Sequence, residues 1–178
     1  MQAEELLNKL IKLTEENRDE VQSFKKRSIG ELNFKENPDS WSILECIEHL
    51  VRYGTFYLPE IGIQLEKSKH PQGEIYKTGF FGNYFANSML PKEKVNKMKT
   101  FKSMNPINSQ LDKKVIDVFV QQQNTMLKLL NKAKETDINK VKNAISITPL
   151  IRLRLGDTFK VVIFHNWRHV IQAKKLIK

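Results

Sequence analysis

Two histidines one helical turn apart near the end of the chain constrain its fold most strongly. The segment from Gly156 to Lys178 has the pattern of an amphipathic helix, and His165 and His169 lie within it. At about 100° per residue the two side chains differ by about 40° on the helical wheel, a spacing that lets two imidazoles bind one metal ion. Lysine and arginine occupy the opposite arc, so we expect both histidines to point into a helical core.

This inward pair has two interpretations. A single buried histidine is most often a hydrogen-bonded core residue. Two on the same ridge are harder to accommodate in that way, because each neutral imidazole needs hydrogen-bond partners that a cation would replace. A metal site needs at least a third ligand. The rest of the chain must therefore supply one if the pair binds a metal.

The chain has the length and composition of one soluble domain, which we assign to residues 1–178. No apolar run approaches the roughly 20 residues of a membrane-spanning helix, so we expect no membrane partner. The first residues contain no basic region followed by an apolar segment, and Cys46 has no second cysteine to pair with. We therefore expect a reducing, cytoplasmic location.

The net charge of +10 would suit a polyanion such as nucleic acid. The lysines, however, are scattered along the whole chain, mostly where helices should face water. We interpret them mainly as solvated surface and do not expect nucleic acid to be the principal partner.

Four stretches have the apolar periodicity of amphipathic helices. The second opens with the capping-box pair Ser42 and Glu45, and the third has Asn108 or Ser109 as its N-cap. Together they predict an all-α fold, a four-helix bundle. The stretches are approximately residues 2–26, 42–67, 108–134 and 156–178.

The connection between the second and third helices is long. Periodicity fades between about Ser68 and Ile107, which predicts a crossing connection with a short extra helix after Pro91. The aromatic segment Phe80–Phe85 is too apolar to remain in water, so we expect it to pack over one end of the bundle. There it would either wall a substrate pocket or only plug the core.

The connection between the third and fourth helices alternates polar and apolar residues, as a strand does. This alternation covers residues 145–155. Pro149 and the lack of an evident second strand favour an extended connector over a hairpin.

A third histidine, in the second predicted helix, could complete a metal site. His49 falls at the edge of the apolar face, where a side chain lines a cleft between helices and solvent still reaches it. An edge histidine is also a common surface residue, and its spacing does not show that it meets the terminal pair. We do not place Cys46 or His70 in the site, because Cys46 is expected in the core and His70 in an exposed turn.

Two further residues are candidates to support the site. Glu45, one turn before His49, could orient its imidazole or accept a proton, and Gln172 could hydrogen-bond a ligand or water. Each also has an ordinary explanation, as a capping residue and as a surface amide.

Two motifs together resemble those of a known family. The Trp-Ser-x-x-Glu-x-x-x-His-Leu pattern of residues 41–50, followed by the His-x-x-x-His-x-x-Gln pattern of residues 165–172, resembles the DinB/YfiT-like superfamily of metalloenzymes. The resemblance implies that His49, His165 and His169 bind one divalent metal ion, nickel or zinc, inside a four-helix bundle. It also implies a homodimer.

The resemblance implies a metal-dependent enzyme that acts on a small molecule. Three imidazoles leave a coordination position for water or substrate. The most concrete reactions are S-transfer of a low-molecular-weight thiol by a transferase, and hydrolysis by a metal-bound hydroxide as in a hydrolase. One alternative is a non-catalytic binding or stress protein that uses the bundle as a scaffold and touches nucleic acid through its basic surface. Another is a structural metal, which predicts a fourth ligand from the protein.

Overall fold

The computed structural model describes residues 1–91 and 100–177, which form a mostly helical bundle with a small hairpin. Within these residues the long helices α1, α3, α5 and α6 form the bundle, in which α1 and α3 each pack against both α5 and α6. The predicted all-α bundle is therefore confirmed. The α-helices are α1 Ala3–Ser23, α2 Ile29–Asn33, α3 Ile43–Lys67, α4 Phe80–Met89, α5 Lys114–Lys132 and α6 Leu155–Lys174.

Helix α3 begins where its capping residues predict. The side-chain oxygen of Ser42 accepts a hydrogen bond from the backbone N–H of Glu45 at 3.2 Å, and Glu45 accepts one from the backbone N–H of Ser42 at 2.8 Å. This reciprocal pair satisfies two donors that the first turn of a helix would otherwise leave free. It fixes the start of the helix that carries His49.

The bundle core consists of two apolar clusters. One contains Ile61 of α3 and Phe159 of α6, and the other contains Leu44 of α3 and Val170 of α6. All four side chains are buried. His49 and the two histidines of α6 lie between these positions along their helices, at the level where one cluster gives way to the other.

Helix α5 begins later than its sequence suggests. Asn108 has a φ of 62°, in the left-handed region, whereas an N-cap residue has extended backbone. The helix starts instead at Lys114, whose backbone N–H donates to the side chain of Asp112 at 2.8 Å. The prediction that Asn108 or Ser109 caps this helix is wrong, because both belong to the turn before it.

The connection between α5 and α6 is a hairpin, so the predicted extended connector is wrong. Strand β1, Lys142–Ile145, pairs antiparallel with β2, Thr148–Arg154. The partner strand that the sequence did not reveal is β1. It has only four residues and directly precedes the alternating segment, so its own alternation of polar and apolar residues is too short to recognise. Pro149 falls within the irregular register beyond the Ala144 pairing, and such bulges tolerate a residue without a backbone donor.

The crossing connection contains α4, which covers the predicted aromatic segment. Gly82 and Ala86 are buried on the side of α4 that packs against α6, while the rings of Phe80, Phe81 and Tyr84 are exposed. The expectation that the aromatic segment packs on the bundle is wrong for these three rings, whereas Phe85 is half-buried and α4 itself packs against α6. A Cβ at position 82 would overlap the carboxyl group of Asp157, so the helices approach closely through small residues and the rings point outward.

The exposed rings do not support either role predicted for them. They are not plugged into the core, and two surface cavities of about 640 and 470 Å³ are lined by residues of other segments. The short helix predicted after Pro91 lies outside the described residues. Among the helices that are described, none is both long and apolar enough to cross a membrane.

Candidate metal centre

Three histidines from two adjacent helices meet in the bundle. His49 of α3 and His165 of α6 place their Nε2 atoms 3.2 Å apart. His169 joins them, and one ligand nitrogen of each histidine lies within 4.8 Å of those of the other two. The one-turn spacing on α6 predicted that His165 and His169 share a face, and the packing of α3 against α6 brings His49 to the same point.

The cluster is sealed on one side and accessible on the other. His49 is only 3% exposed, whereas His165 and His169 are half-buried. The exposed part of the two residues lies on the α6 side of the cluster.

Hydrogen bonds fix the orientation of two of the rings. The Nδ1–H of His49 donates to the backbone carbonyl of Met104 at 2.7 Å, and the Nδ1–H of His169 donates to the amide oxygen of Gln172 at 2.9 Å. Because a carbonyl oxygen can only accept, each contact places the proton on Nδ1 and leaves a lone pair on Nε2. This arrangement is typical of histidines that bind a metal through Nε2.

The spacing of these nitrogens fits one shared metal ion. Two nitrogens that each lie about 2.0–2.1 Å from one ion are about 2.8–3.0 Å apart as neighbours in octahedral geometry and about 3.3–3.4 Å apart in tetrahedral geometry. The separation between His49 and His165 Nε2 is 3.2 Å. A proton shared between these two atoms would satisfy one pair only, whereas a cation would satisfy all three imidazoles.

All three histidines are held in the neutral form. Burial lowers the pKa of His49 to about 4, although the bond to Met104 opposes this shift. Burial also lowers the pKa of His169 to about 3, assisted by His49. Burial, assisted by both neighbouring histidines, holds the pKa of His165 well below its ordinary value. Neutral imidazole is the form that binds a metal, so no proton must leave near neutral pH.

The carbonyl of Met104 is itself held in place by α3. The guanidinium of Arg52 donates to the backbone carbonyls of Ser103 at 3.3 Å and Asn105 at 3.0 Å. The indole N–H of Trp41 donates to the side chain of Asn105 at 3.2 Å. No residue pattern could have identified Met104, because the contact uses a backbone carbonyl, which every residue type has.

The two predicted supporting residues have different positions. Glu45 is buried, and its carboxylate binds Lys35 at 2.7 Å and the backbone N–H of Asn108 at 2.6 Å in addition to capping α3. In the structure, therefore, Met104 and not Glu45 makes the contact that orients the ring of His49. Gln172 does contact the site, through the Nδ1–H of His169.

Two aromatic rings flank the histidines. The Trp41 ring centroid lies 4.6 Å from that of His49 and 5.6 Å from that of His169. The Tyr53 ring centroid lies 5.0 Å from His49 and 4.8 Å from His165. Trp41 packs against one apolar cluster of the core and Tyr53 against the other, so the cluster sits between aromatic walls.

The remaining histidine and the cysteine stay outside the centre, as the sequence predicts. His70 is exposed, and Cys46 is buried in the core with its pKa raised by burial. Within residues 1–91 and 100–177, no fourth histidine, cysteine or carboxylate joins the three imidazoles in a potential metal-binding group. Among the described residues, the potential metal-binding group therefore consists of three imidazoles.

The fold and the site together define a helical-bundle protein with a three-histidine cluster that could hold a metal ion. The family model of the DinB superfamily matches residues 12–173, and the chain belongs to this superfamily. The resemblance predicted from the two motifs is confirmed. No curated protein and no solved structure matches the chain.

Proposed function

We propose that this protein is a divalent-metal-dependent enzyme that acts on a small molecule, with His49, His165 and His169 as ligands of nickel or zinc. The observation that carries the proposal is the convergence of these imidazoles, two of which have Nδ1 engaged and Nε2 free to bind. Three ligands without a fourth from the described residues favour a reactive site over a structural one.

Each surrounding residue has a defined task in this proposal. Met104 and Gln172 orient the imidazoles, and Arg52 holds the loop that presents the Met104 carbonyl. Trp41 and Tyr53 limit the approach to the accessible side. A bound divalent ion would act as a Lewis acid and lower the pKa of a coordinated water or thiol.

The reacting nucleophile has to come from solvent or from a second substrate. The thiol of Cys46 is buried with a raised pKa, and Glu45 is engaged by Lys35 and by backbone N–H groups. Neither side chain is free to attack a substrate. This supports S-transfer of a low-molecular-weight thiol or hydrolysis by water. Three neutral ligands leave the charge of the ion uncompensated, which favours an anionic or thiolate substrate. A cytoplasmic location would keep such a thiol reduced.

Metal analysis of untagged protein tests the proposal most directly. We expect about one nickel or zinc ion per chain in the wild type, less than about a tenth of that in His165→Ala, and an unchanged content in His70→Ala, which removes an exposed histidine. Thiol consumption with an electrophilic acceptor, and ester hydrolysis, should both be assayed with and without chelator. Equal metal content in wild type and His165→Ala would reject the proposed centre.

The alternative of a non-catalytic protein that touches nucleic acid makes a different prediction. Binding through phosphates weakens steeply as salt is raised and does not depend on a metal ligand. Salt-sensitive binding of an oligonucleotide that is equally strong in His165→Ala, in a protein without metal-dependent turnover, would favour that alternative.

A further inference from the structure

The bundle core has a polar layer at its centre, between the two apolar clusters. Three of the four long helices place a buried amide side chain at this level, which are Asn17 of α1, Gln123 of α5 and Asn166 of α6. The fourth long helix, α3, brings His49 to the same level. Burying an amide costs free energy unless the group is hydrogen-bonded, so each of these side chains needs an explanation.

Two of the three amides form a hydrogen bond across the bundle. The Nδ2–H of Asn166 donates to Oε1 of Gln123 at 3.1 Å, and both residues are 4% exposed. Helices α5 and α6 are diagonally opposite, since each packs against α1 and α3 and, within the part of the chain that the structure describes, their direct contacts are few. The hydrogen bond therefore links two opposite helices through the middle of the core.

The linked residue of α6 adjoins the metal centre. Asn166 directly follows His165 and precedes His169 by three residues. At about 100° per residue, its side chain points about 100° away from that of His165 and about 60° away from that of His169. It turns toward α5, whereas the histidines turn toward α3. The hydrogen bond thus acts on the helical turn that carries both histidines, from another face of α6.

Apolar packing alone would hold this turn less precisely. The core residues one turn before and one turn after Asn166 are Val162 and Val170, and apolar contacts have no preferred direction. A hydrogen bond in a buried, low-dielectric environment has a preferred length and direction. The other buried anchor of α6, Asp157, lies about 12 Å along the helix axis before His165.

We propose that Gln123 and Asn166 are positioning residues of the metal centre, which set the place of His165 and His169 relative to His49. This role rests on the proposed function, in which the three histidines bind a divalent ion. Ligands of such a site have to be held within about 0.5 Å of their working geometry. Neither amide belongs to the histidine cluster, so both act through α6. A buried asparagine fixes the register of coiled-coil helices in a similar way, at a cost in stability.

Asn17 separates the effect of the hydrogen bond from the effect of polarity. This residue is 2% exposed at the same level of the core, and its Nδ2 donor has no hydrogen-bond partner among the described residues. It is a buried amide like Asn166, but that donor links it to no other helix. Loss of its side chain should therefore leave the histidines in place.

Zinc affinity and stability, measured together on the full chain, test the proposal. Gln123→Leu/Asn166→Ala replaces the amide pair with apolar side chains of similar combined volume. We expect zinc binding at least about tenfold weaker in this variant, because the ligands are no longer held in place. Competition with a chromogenic chelator measures the affinity, and urea unfolding of the metal-free protein measures the stability.

Two further variants distinguish positioning from a merely structural role. Asn17→Ala is the matched control and should bind zinc within about threefold of the wild type, even if its midpoint in urea falls as far as that of the pair variant. The exchange Gln123→Asn/Asn166→Gln keeps a donor and an acceptor and should also bind within about threefold of the wild type. If Gln123→Leu/Asn166→Ala does not fold, Gln123→Met takes its place, since it removes only the acceptor.

Crystal structures of the metal-free proteins test the position of the histidines without a metal. The separation between Nε2 of His49 and Nε2 of His165, which is 3.2 Å, should change by more than about 0.5 Å in Gln123→Leu/Asn166→Ala and by less in Asn17→Ala. An unchanged separation, or equal zinc affinity in the pair variant and the wild type, would overturn the positioning role. A wild type that binds no zinc would instead reject the proposed function, and the metal-free separation would still decide whether the amides position the histidines.

Discussion

Helix α6 carries two polar clusters, and they differ in whether their hydrogen bonds are complete. Near its start, the buried Asp157 accepts hydrogen bonds from the Tyr76 hydroxyl at 2.5 Å, the Thr78 hydroxyl at 2.7 Å and the Gly79 N–H at 2.9 Å. Further along, His165 and His169 meet His49, and ring nitrogens of three imidazoles converge, of which His49 and His169 have Nδ1 bonded and Nε2 without a proton. The first cluster has its hydrogen bonds complete, whereas the second could hold a metal ion.

The difference teaches how a structural polar cluster can be told from a site. A buried carboxylate surrounded by donors has no unmet requirement, and here it fastens the crossing connection to α6. The imidazoles of His49 and His169 have Nδ1 bonded and Nε2 directed at the cluster, which is the arrangement that suits a metal ion. Burial alone does not separate the two clusters, since both contain buried polar groups.

Loss of one of the three histidines should give the largest effect on metal affinity. Loss of Asp157 should have little effect on it, which would show that the two clusters are independent. His169→Ala is expected to weaken nickel or zinc binding by at least about 1,000-fold, because one of three protein ligands is lost. Asp157→Ala should change the affinity by less than about threefold. Competition titration against a chromogenic chelator measures both. Comparable losses in the two variants would show that the clusters are not independent.

Asp157→Ala, which should hardly change metal affinity, should have a large effect on the stability of the fold. Asp157→Ala is expected to lower the free energy of unfolding of the metal-free protein by about 3 kcal/mol, because three donors lose a charged acceptor in the core. Asp19→Ala, at an exposed carboxylate of α1, should cost less than about 1 kcal/mol. Urea unfolding provides the measurement, and equal costs for the two variants would contradict the structural role of Asp157.

Acid should destabilise the metal-free protein through the histidine cluster. Burial lowers the pKa of His49 to about 4, below its unfolded value of about 6.5. As the pH falls from about 6.5 towards 4, the unfolded chain takes up a proton that the folded protein excludes, so folding stability declines. By about pH 5 this amounts to about 2 kcal/mol for His49.

Urea unfolding at about pH 7.5 and pH 5, in the presence of chelator, measures this decline. The variant His49→Leu should show a smaller dependence on pH, whereas His70→Ala should behave as the wild type. An unchanged pH dependence in His49→Leu would show that this histidine is not kept neutral by the fold.

The smallest effect should come from the residue that only orients a ligand. Gln172→Leu removes the acceptor for the Nδ1–H of His169 and should weaken metal binding by about tenfold. Metal stoichiometry at saturation should stay the same, because all three ligands remain. Gln121→Leu on α5 is the matched control and should bind as the wild type. Equal affinity in both variants would indicate that Gln172 is an ordinary surface amide.

Several features could be predicted from local sequence because their causes are local. Helical periodicity located α1, α3 and α6, and the Ser42–Glu45 pair located the start of α3. The one-turn spacing of His165 and His169 placed both on one face. Errors arose where a neighbouring segment decided the outcome. The hairpin depended on a short partner strand. Three aromatic rings of α4 face outward because Gly82, on the other side of the helix, fits closely against Asp157.

The sequence by itself determined the long helices and the inward pair of histidines. Through two motifs it also indicated the family, and the resemblance to that family implied His49 as the third histidine of the site. These follow from periods and spacings of a few residues, which the backbone geometry of a helix translates directly into faces. Only the tertiary structure decided that Met104 rather than Glu45 orients His49, and that Gln172 orients His169. Such contacts depend on the distance between segments far apart in the chain, and that distance is set by packing of the whole bundle.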